Sequence, residues 1–312
     1  WVFIAFLASC TLLMLMSWVV LFAPDLSIKP IDTGEGVYRP AFGIVVKNYI
    51  NQSQEFALCA VALAYPAFLY FREGKTRHAV VLVGIALAFL VNMAFTSVSR
   101  TTMVTMPVML AVFALLHLRL RTSLLIFCAA AILALLAWMA SPKLQHTTDT
   151  FMRDYQMYVE KDAPTSIGLR LEYWRKSLGF IGQAPLAGHG TGTIRGLFER
   201  AAVGSPEFAR GQVIDNAHNQ TLNVAIQWGI VGVVLLYAMW LSHLLLFRGE
   251  GLAAWIGLMV VVQNVLTSLF NSHLVDFHEG WMYVLGVGVA GGMVLRDRAR
   301  GEAAESCGTV RP

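Results

Sequence analysis

Charged residues are scarce in this chain: only 13% of its 312 residues are charged, whereas 57% are hydrophobic. A soluble domain carries about a quarter charged residues, so a soluble fold is excluded. The charges are also segregated, which leaves apolar runs near the ~20 residues that a helix needs to cross a bilayer. The alternating segments of a transmembrane barrel, about ten residues each, are absent. The composition therefore predicts an all-α polytopic membrane protein.

Cysteine is sparse as well. The chain has four, of which three lie in apolar runs and one in the polar tail: Cys10, Cys59, Cys128 and Cys307. Without a CxxC pair, this spacing excludes a disulfide framework and a cysteine zinc site. The GxSxG and HExxH motifs are also missing, so no hydrolase motif is present. The net charge of +4 does not indicate a nucleic-acid partner.

Eight apolar runs predict eight membrane spans. The first opens at Trp1 rather than at a methionine, so we expect the natural protein to have residues before it. The predicted spans are 1–22, 55–71, 79–98, 102–118, 122–140, 219–247, 252–271 and 280–295. Residues 23–54 and 141–218 are the two long polar connections. The second contains amphipathic stretches near 147–160, 168–182 and 191–201. The stretch 168–182 is predicted to lie as a helix on the membrane surface.

These runs divide the chain into four predicted segments. They are a bundle of about five spans (1–140), a large external loop of amphipathic helices (141–218), a bundle of about three spans (219–296) and a tail (297–312). We expect residues of the loop to contribute to the active site.

The basic residues of the short connections predict the orientation. They all fall on one side if the spans alternate: Arg72, Lys75, Arg77, Arg119, Arg121, Arg248, Arg296, Arg298 and Arg300. That side is cytoplasmic by the positive-inside rule, and so is the tail. The loop 141–218, Arg100 and the turn 271–279 then lie together at the outer face. An active site at the outer leaflet is the leading hypothesis.

Two arginines are candidates for binding phosphate. Arg100 closes the third predicted span in a hydroxyl-rich segment, and Arg170 follows Ser166, which resembles an N-cap, in a predicted amphipathic helix. A guanidinium stays charged and presents a planar fork of donors that suits phosphate. Each arginine has an alternative, because Arg100 could extend towards lipid headgroups and Arg170 could anchor its helix at the interface.

The segment Pro185–Thr193 is glycine-rich and precedes a predicted helix. Its backbone amides could cradle a phosphate, or it could form a tight re-entrant turn at the membrane edge. A nucleotide-binding fingerprint is excluded, because no strand precedes the segment and the lysine of a P-loop is missing. His189 lies within it.

His218 lies in the segment Asn216-Ala217-His218-Asn219, just before a long apolar run. Histidine is the side chain that titrates near neutral pH, so it could act as a general base whose tautomer is fixed by Asp215 or an amide. It could equally be structural and cap the helix that begins near 219, with Asn216 or Asn219 serving the first turn. The turn 271–279 contains His273, Asp276 and His278, but this spacing matches no zinc signature and favours a solvated turn.

The ordered set of motifs resembles the bacterial O-antigen ligase family. The resemblance rests on Arg100 after a serine-rich span and Arg170 ahead of an aromatic residue in the external loop. It rests further on the Pro-x-x-Gly-x-Gly-x-Gly turn and on Asn-x-His-Asn at the start of an apolar helix. The turn 271–279 also resembles that family, so the likeness covers most of the chain.

This resemblance implies a function. Such ligases transfer O-antigen polysaccharide from undecaprenyl pyrophosphate to the lipid A–core oligosaccharide in lipopolysaccharide biosynthesis, on the periplasmic face of the bacterial inner membrane. The resemblance implies a helical bundle like that of the C-class (GT-C) membrane glycosyltransferases, inversion at the anomeric carbon, and no metal, nucleotide sugar or other cofactor. It also implies that further spans precede Trp1.

The resemblance also assigns roles to individual residues. His218 is expected to be the catalytic base, and Arg100 and Arg170 are expected to bind the pyrophosphate. The candidate pocket or acceptor contacts are His189, Asn219, His273, Asp276 and His278.

Three alternatives stay open. An O-antigen polymerase and a protein O-oligosaccharyltransferase resemble the ligases, use the same kind of donor and differ in the acceptor. A transporter or flippase belongs to another functional class and needs polar residues near the bilayer midplane. Asn92, Gln263 and Asn264 are the candidates for such residues.

Overall fold

The computed structural model describes residues 1–26, 30–32, 38–40, 43–45, 48–96 and 99–308. The helices in these ranges are α1 (Val2–Phe22), α2 (Tyr49–Ala62), α3 (Ala64–Arg72), α4 (Thr76–Phe95), α5 (Arg100–His117), α6 (Leu120–Ala140), α7 (Pro142–Lys161), α8 (Ser166–Gln183), α9 (Ile194–Arg200), α10 (Gln220–Leu246), α11 (Leu252–Thr267) and α12 (Phe277–Gly308). Two three-residue strands, β1 (Pro30–Asp32) and β2 (Tyr38–Pro40), pair antiparallel between α1 and α2. Apart from this small ladder, the described chain is helical.

Six helices in the described ranges are long and apolar enough to cross a membrane. They are α1, the continuous pair α2–α3, α4, α5, α6 and α10. The seventh predicted span corresponds to α11, a shorter apolar helix of 16 residues, and the eighth lies within α12. The chain is therefore an all-α multi-pass membrane protein, as predicted. The count of eight spans stays a prediction.

The predicted polar connection 23–54 is too long. Helix α2 begins at Tyr49, and the Asn48 side chain caps it by accepting a hydrogen bond from the Asn51 N–H at 2.8 Å. Its polar residues 51–55 are buried, and Gln52 Nε2 lies 3.2 Å from Ser17 Oγ of α1. Hydropathy assigns such a polar segment to solvent, and only packing shows that it is buried.

Arg100 does not close the third span as predicted. Helix α4 ends at Phe95, and Arg100 is the first residue of α5. Ser99 caps α5, since its Oγ accepts a hydrogen bond from the Thr102 N–H at 3.1 Å. A serine hydroxyl favours the N-cap position because it satisfies one of the unpaired N–H groups of the first turn. The guanidinium of Arg100 therefore belongs to the N-terminal end of a helix.

The chain divides into two compact units. The first comprises Trp1–Gln145, Phe247–Gln263 and Leu285–Pro312, and the second comprises His146–Leu246 and Asn264–Val284. In the first unit, α1, α2 and α4 contribute to a core around Phe56 and Phe89, whose rings lie 5.1 Å apart. The second unit joins α7 to α10 with the segment between α11 and α12, so residues far apart in sequence belong to one compact unit.

The three amphipathic stretches predicted in the external loop form α7, α8 and α9, as expected. Ser166 is not the N-cap of α8, however. Thr165 caps the helix, because its hydroxyl accepts a hydrogen bond from the Gly168 N–H at 3.2 Å. The apolar faces of α8, α9 and α10 meet in a core that includes Tyr173, Phe198 and Ile226. Burial of such side chains stabilises a fold by about 1.5–3 kcal/mol each.

A buried carboxylate connects α7 to α8. Glu172 is fully buried and accepts two hydrogen bonds from Arg175, at 3.0 and 2.6 Å, and one from the Tyr158 hydroxyl at 3.1 Å. Burial would raise the pKa of Glu172, but Arg175 and the other donors lower it overall. The carboxylate is therefore ionised at neutral pH, and its partners compensate for the loss of hydration.

Candidate active site

Helix α10 is interrupted at Gly229, where φ is +60° and ψ is −154°. This conformation is essentially restricted to glycine. The break leaves backbone groups of α10 without helical partners, and the glycine-rich turn supplies them. Three hydrogen bonds connect the two segments: Ile230 N–H to Pro185 O at 2.9 Å, His189 N–H to Ile226 O at 2.8 Å, and Gly190 N–H to Gln227 O at 2.9 Å.

We expect Gly229→Ala to destabilise the protein. A Cβ at this position would lie 2.3 Å from the backbone oxygen of Leu186 in a conformation that L side chains rarely adopt. The expected loss is at least about 1–3 kcal/mol of unfolding free energy, measured as a lower thermal midpoint in detergent. Gly179→Ala is the matched control, because Gly179 lies in α8 and a Cβ added there would meet nothing within 4 Å. Equal midpoints for the two variants would contradict the prediction.

The same hydrogen bonds decide between the two roles considered for the segment Pro185–Thr193. Three of its backbone amides donate to α10: those of His189 and Gly190, and that of Gly192, which donates to Gln227 Oε1 at 2.8 Å. The His189 ring is engaged as well, since its Nε2 donates to the Phe180 carbonyl at 2.8 Å. The structure favours a tight turn that supports α10 over a phosphate cradle.

The segment Asn216–Asn219 is held at both ends by its own amides. Asn216 Oδ1 accepts from the His218 N–H at 2.9 Å. Asn219 caps α10, because its Oδ1 accepts from the Leu222 N–H at 3.0 Å while its Nδ2 donates to the Leu269 carbonyl at 2.9 Å. Asn219 is therefore the residue that caps α10, and the His218 ring makes other contacts.

The backbone of His218 has φ +50°, in the left-handed region. Residues other than glycine are uncommon there, so the surrounding hydrogen bonds must hold this conformation. The imidazole stacks on Tyr173, with the ring centroids 5.8 Å apart and the planes 20° from parallel. Its Nδ1 lies 2.8 Å from Asn271 Oδ1. The ring is thus fixed on one face and at one nitrogen.

The turn after α11 supplies the groups behind His218. Asn271 Nδ2 donates to Asp276 Oδ2 at 3.1 Å. His273 is fully buried, and its Nδ1 lies 2.8 Å from Thr267 Oγ1. Leu274 N–H donates to Gln220 Oε1 at 3.0 Å, which ties the turn to the start of α10. The predicted solvated turn is therefore wrong for His273, which is buried and hydrogen-bonded to Thr267.

Arg170 lies on α8 near these groups. Its Nε donates to the Phe270 carbonyl at 3.3 Å, and its Nη1 donates to the Ser166 carbonyl and hydroxyl at 3.1 and 2.8 Å. These contacts fix the plane of the guanidinium. Its charge lowers the pKa of both His218 and His273, so it acts on the same site.

The environment keeps both histidines neutral. Burial lowers the pKa of His218, and the charge of Arg170 lowers it further, whereas Asn271 and Asp215 act in the opposite direction. Burial lowers the pKa of His273 to about 4, with Arg170 and His218 contributing in the same sense. Burial raises the pKa of Asp276. A neutral imidazole is the form that can accept a proton.

Arg100 and His278 are also among the predicted site residues. Arg100 belongs to the first unit, and its meeting with His218 stays a prediction. His278 is exposed in the first turn of α12, where its ring lies 5.5 Å from that of Phe277. In the part of the chain that the structure describes, no group of three or more His, Cys, Asp or Glu residues is arranged to hold a metal ion.

Two contacts of His218 were not predicted. Asn271 was part of the turn but carried no distinctive spacing, because its partners Asp276 and His218 meet it only through folding. Tyr173 could have been found, since it lies three residues after Arg170 on one helix and such residues share a face.

Residues 85–237 match the family model for O-antigen ligases. This region belongs to the O-antigen ligase family. No curated protein matches the chain. The matched range includes Arg100, Arg170, His189, His218 and Asn219. This O-antigen ligase family member is therefore a glycosyltransferase-like enzyme of the ligase and polymerase superfamily.

Part of the site lies outside the matched range. Asn271, His273, Asp276 and His278 all follow residue 237. Of these, Asn271 contacts His218 directly, and Asp276 contacts Asn271. The surroundings of His218 in this O-antigen ligase family member therefore include groups that lie beyond the family match.

Proposed function

We propose that this enzyme transfers O-antigen polysaccharide from undecaprenyl pyrophosphate to the lipid A–core oligosaccharide, at the periplasmic face of the bacterial inner membrane. The observation that carries the proposal is the His218 ring. It is held at Nδ1 by Asn271 and stacked on Tyr173, and the charge of Arg170 lowers its pKa. A neutral base beside a fixed cation suits the attack of a hydroxyl on a carbon that bears an anionic leaving group.

In the proposed step, a hydroxyl oxygen of the acceptor sugar attacks the anomeric carbon of the donor, and its proton passes to Nε2 of His218. A carbon–oxygen bond forms to the acceptor while the bond to the pyrophosphate oxygen breaks. The lipid pyrophosphate leaves with the electron pair. A single displacement of this kind inverts the anomeric carbon. A general base typically contributes about 10²- to 10⁴-fold in rate.

Arg170 and Arg100 bind the pyrophosphate in this proposal. Neither can act as a base, because a guanidinium does not deprotonate in proteins. Arg170 is anchored through Nε and Nη1, so its charge has a fixed position relative to His218. Arg100 lies in the first turn of α5, where the helix dipole also favours an anion. Charge that grows on the leaving group is thereby stabilised without a divalent ion.

Reconstitution with a defined undecaprenyl-pyrophosphate glycan tests the function. The protein in liposomes is offered three acceptors: lipid A–core, a glycan-primed lipid, and a pilin-like protein. We expect product only on lipid A–core, at a rate that a chelator does not lower. Transfer to the primed lipid would identify a polymerase, and transfer to protein would identify an oligosaccharyltransferase. Loss with chelator that added metal restores would contradict the metal-free mechanism.

The polar residues considered for a transporter or flippase lie near helix ends. Asn92 is in the last turn of α4, and Gln263 and Asn264 are near the end of α11. Asn264 Oδ1 accepts a hydrogen bond from the Trp240 Nε1–H at 3.2 Å. Positions at helix ends do not supply the polar residues that a path through the middle of the spans requires. Movement of labelled donor across the liposome membrane without glycan transfer would nevertheless favour that function.

A further inference from the structure

A chain of two side-chain hydrogen bonds leads from a carboxylate to the His218 ring. Asp276 Oδ2 accepts from Asn271 Nδ2 at 3.1 Å, and Asn271 Oδ1 lies 2.8 Å from His218 Nδ1. Asp276 and Asn271 belong to the turn between α11 and α12, whereas His218 precedes α10. The three residues are therefore brought together by the fold of the second unit and not by the sequence.

The donor at each step of this chain is determined by chemistry. An ionised carboxylate can only accept hydrogen bonds, so the amide of Asn271 must present its NH₂ group to Asp276. The carbonyl oxygen of the same amide then faces His218 and can also only accept. His218 Nδ1 must therefore carry the hydrogen and donate it. In a neutral imidazole this leaves Nε2 unprotonated, which is the nitrogen that a general base needs.

The other groups described around His218 act on it differently. Asp215 acts on His218 through its charge, and Arg170 and Tyr173 on α8 offer donors or a ring face. His273 lies behind the turn, and its Nε2 is 4.0 Å from Asp276 Oδ2, beyond hydrogen-bonding distance. With a pKa of about 4, His273 is neutral at pH 7 and forms no ion pair with that carboxylate. Asp276 is therefore left to accept the hydrogen bond from Asn271 Nδ2.

We infer that Asn271 and Asp276 are positioning residues that hold His218 in the tautomer with Nδ1 protonated and Nε2 free. The inference rests on the proposed function, in which Nε2 accepts the proton of the acceptor hydroxyl. It assigns to Asp276 a role through Asn271 rather than a contact with the acceptor. Asp276 determines which end of the Asn271 amide faces the imidazole, and the amide in turn determines which imidazole nitrogen carries the hydrogen.

Nitrogen NMR of ¹⁵N-histidine-labelled protein tests the inference directly. Each tautomer gives a distinct pair of ring nitrogen shifts, and the His218 signal is assigned by its loss in His218→Gln. We expect the unaltered protein to show the Nδ1–H form, and Asp276→Asn to show both forms, because two neutral amides can pair in either direction. Equal populations of both forms in the unaltered protein would overturn the inference. This measurement needs no activity, so it separates the inference from the proposed function.

A residue exchange supplies the second test. Asp276→Asn alone should lower kcat by about tenfold with little change in KM, less than the roughly 10⁴-fold loss that a wrong tautomer causes in a serine protease triad, because Asp276 acts at one remove. Asn271→Asp alone places two carboxylates about a hydrogen bond apart, which forces one to be protonated. The double variant Asn271→Asp with Asp276→Asn restores both hydrogen bonds. The carboxylate at position 271 accepts from His218 Nδ1, and the amide at position 276 donates to that carboxylate.

We expect the double variant to be more active than either single variant. The acid limb of its pH–activity profile should lie at higher pH than in the unaltered protein, because a carboxylate in direct contact raises the pKa of His218. A purely structural role of the two residues would not move the pH profile. A double variant that folds, by its thermal midpoint, but is no more active than the single variants would contradict the inference. So would an unshifted acid limb.

Discussion

Replacing His218 by alanine is expected to abolish glycan transfer while leaving membrane insertion intact. In the proposed step the imidazole takes the proton of the acceptor hydroxyl, and loss of a general base costs about 10²- to 10⁴-fold in rate. The measurement is product formation on lipid A–core in liposomes, under single-turnover conditions, so that product release does not hide the effect. His146→Gln is the matched control, because His146 is exposed on α7.

The pH profile adds a second measure of the same residue. His218 accepts a proton only when it is neutral, and its pKa lies below the ordinary value of 6.5, chiefly because of burial. Activity should therefore persist at pH 6.5 and fall only as the pH decreases through that lowered pKa. The limb should be missing from the residual activity of His218→Ala. Near-normal ligation by His218→Ala would refute the role of His218 as the base.

Arg170→Lys is expected to lower kcat/KM by about 10²- to 10³-fold, the range seen when one donor to a developing negative charge is removed. The charge is kept, but the planar fork is lost. In the native protein that fork is oriented by the Phe270 carbonyl and by Ser166. An ammonium group has no second nitrogen to make those contacts while it faces a phosphate. The loss should appear mainly in kcat, since the charge on the leaving group grows in the transition state.

Arg195→Lys serves as the control for this substitution. Arg195 is exposed on α9 and pairs with Glu199 at 3.0 Å. Arg195→Lys therefore makes the same chemical change at a position outside the candidate site. An exposed pair of this kind contributes little to stability. Equal activity of Arg170→Lys and Arg195→Lys would show that Arg170 only anchors α8. Arg100 would then be the remaining candidate for binding the leaving group.

The largest features of the fold follow from hydropathy. Apolar runs of sufficient length are buried in lipid or in other helices, so α1, α4, α5, α6 and α10 were predicted to within a few residues. The amphipathic helices α7 to α9 followed from the helical period of their apolar residues. Helix α2 was misplaced because its first half is polar. A polar side chain that finds partners inside a bundle has the same hydropathy as one in water, so composition cannot separate the two.

The break in α10 also escaped prediction. The sequence has a glycine at position 229 inside a long apolar run, and such a glycine is compatible with a continuous helix. The break exists because the turn around Pro185 and His189 fits into it and satisfies the carbonyls and the N–H that it exposes. Its stability depends on two segments about forty residues apart, which local propensity does not register.

The sequence by itself determined that this protein is a helical membrane protein, and its ordered motifs indicated the family and singled out His218 and Arg170. Hydropathy and motif order are properties of the linear sequence, so they can be determined without a structure. The tertiary structure decided which atoms surround the imidazole. Asn271 and Asp276 come from a turn more than fifty residues further along the chain, and hydrogen-bond donors and acceptors are specified only once they face each other. The hydrogen-bond partners of His218 therefore depend on the fold.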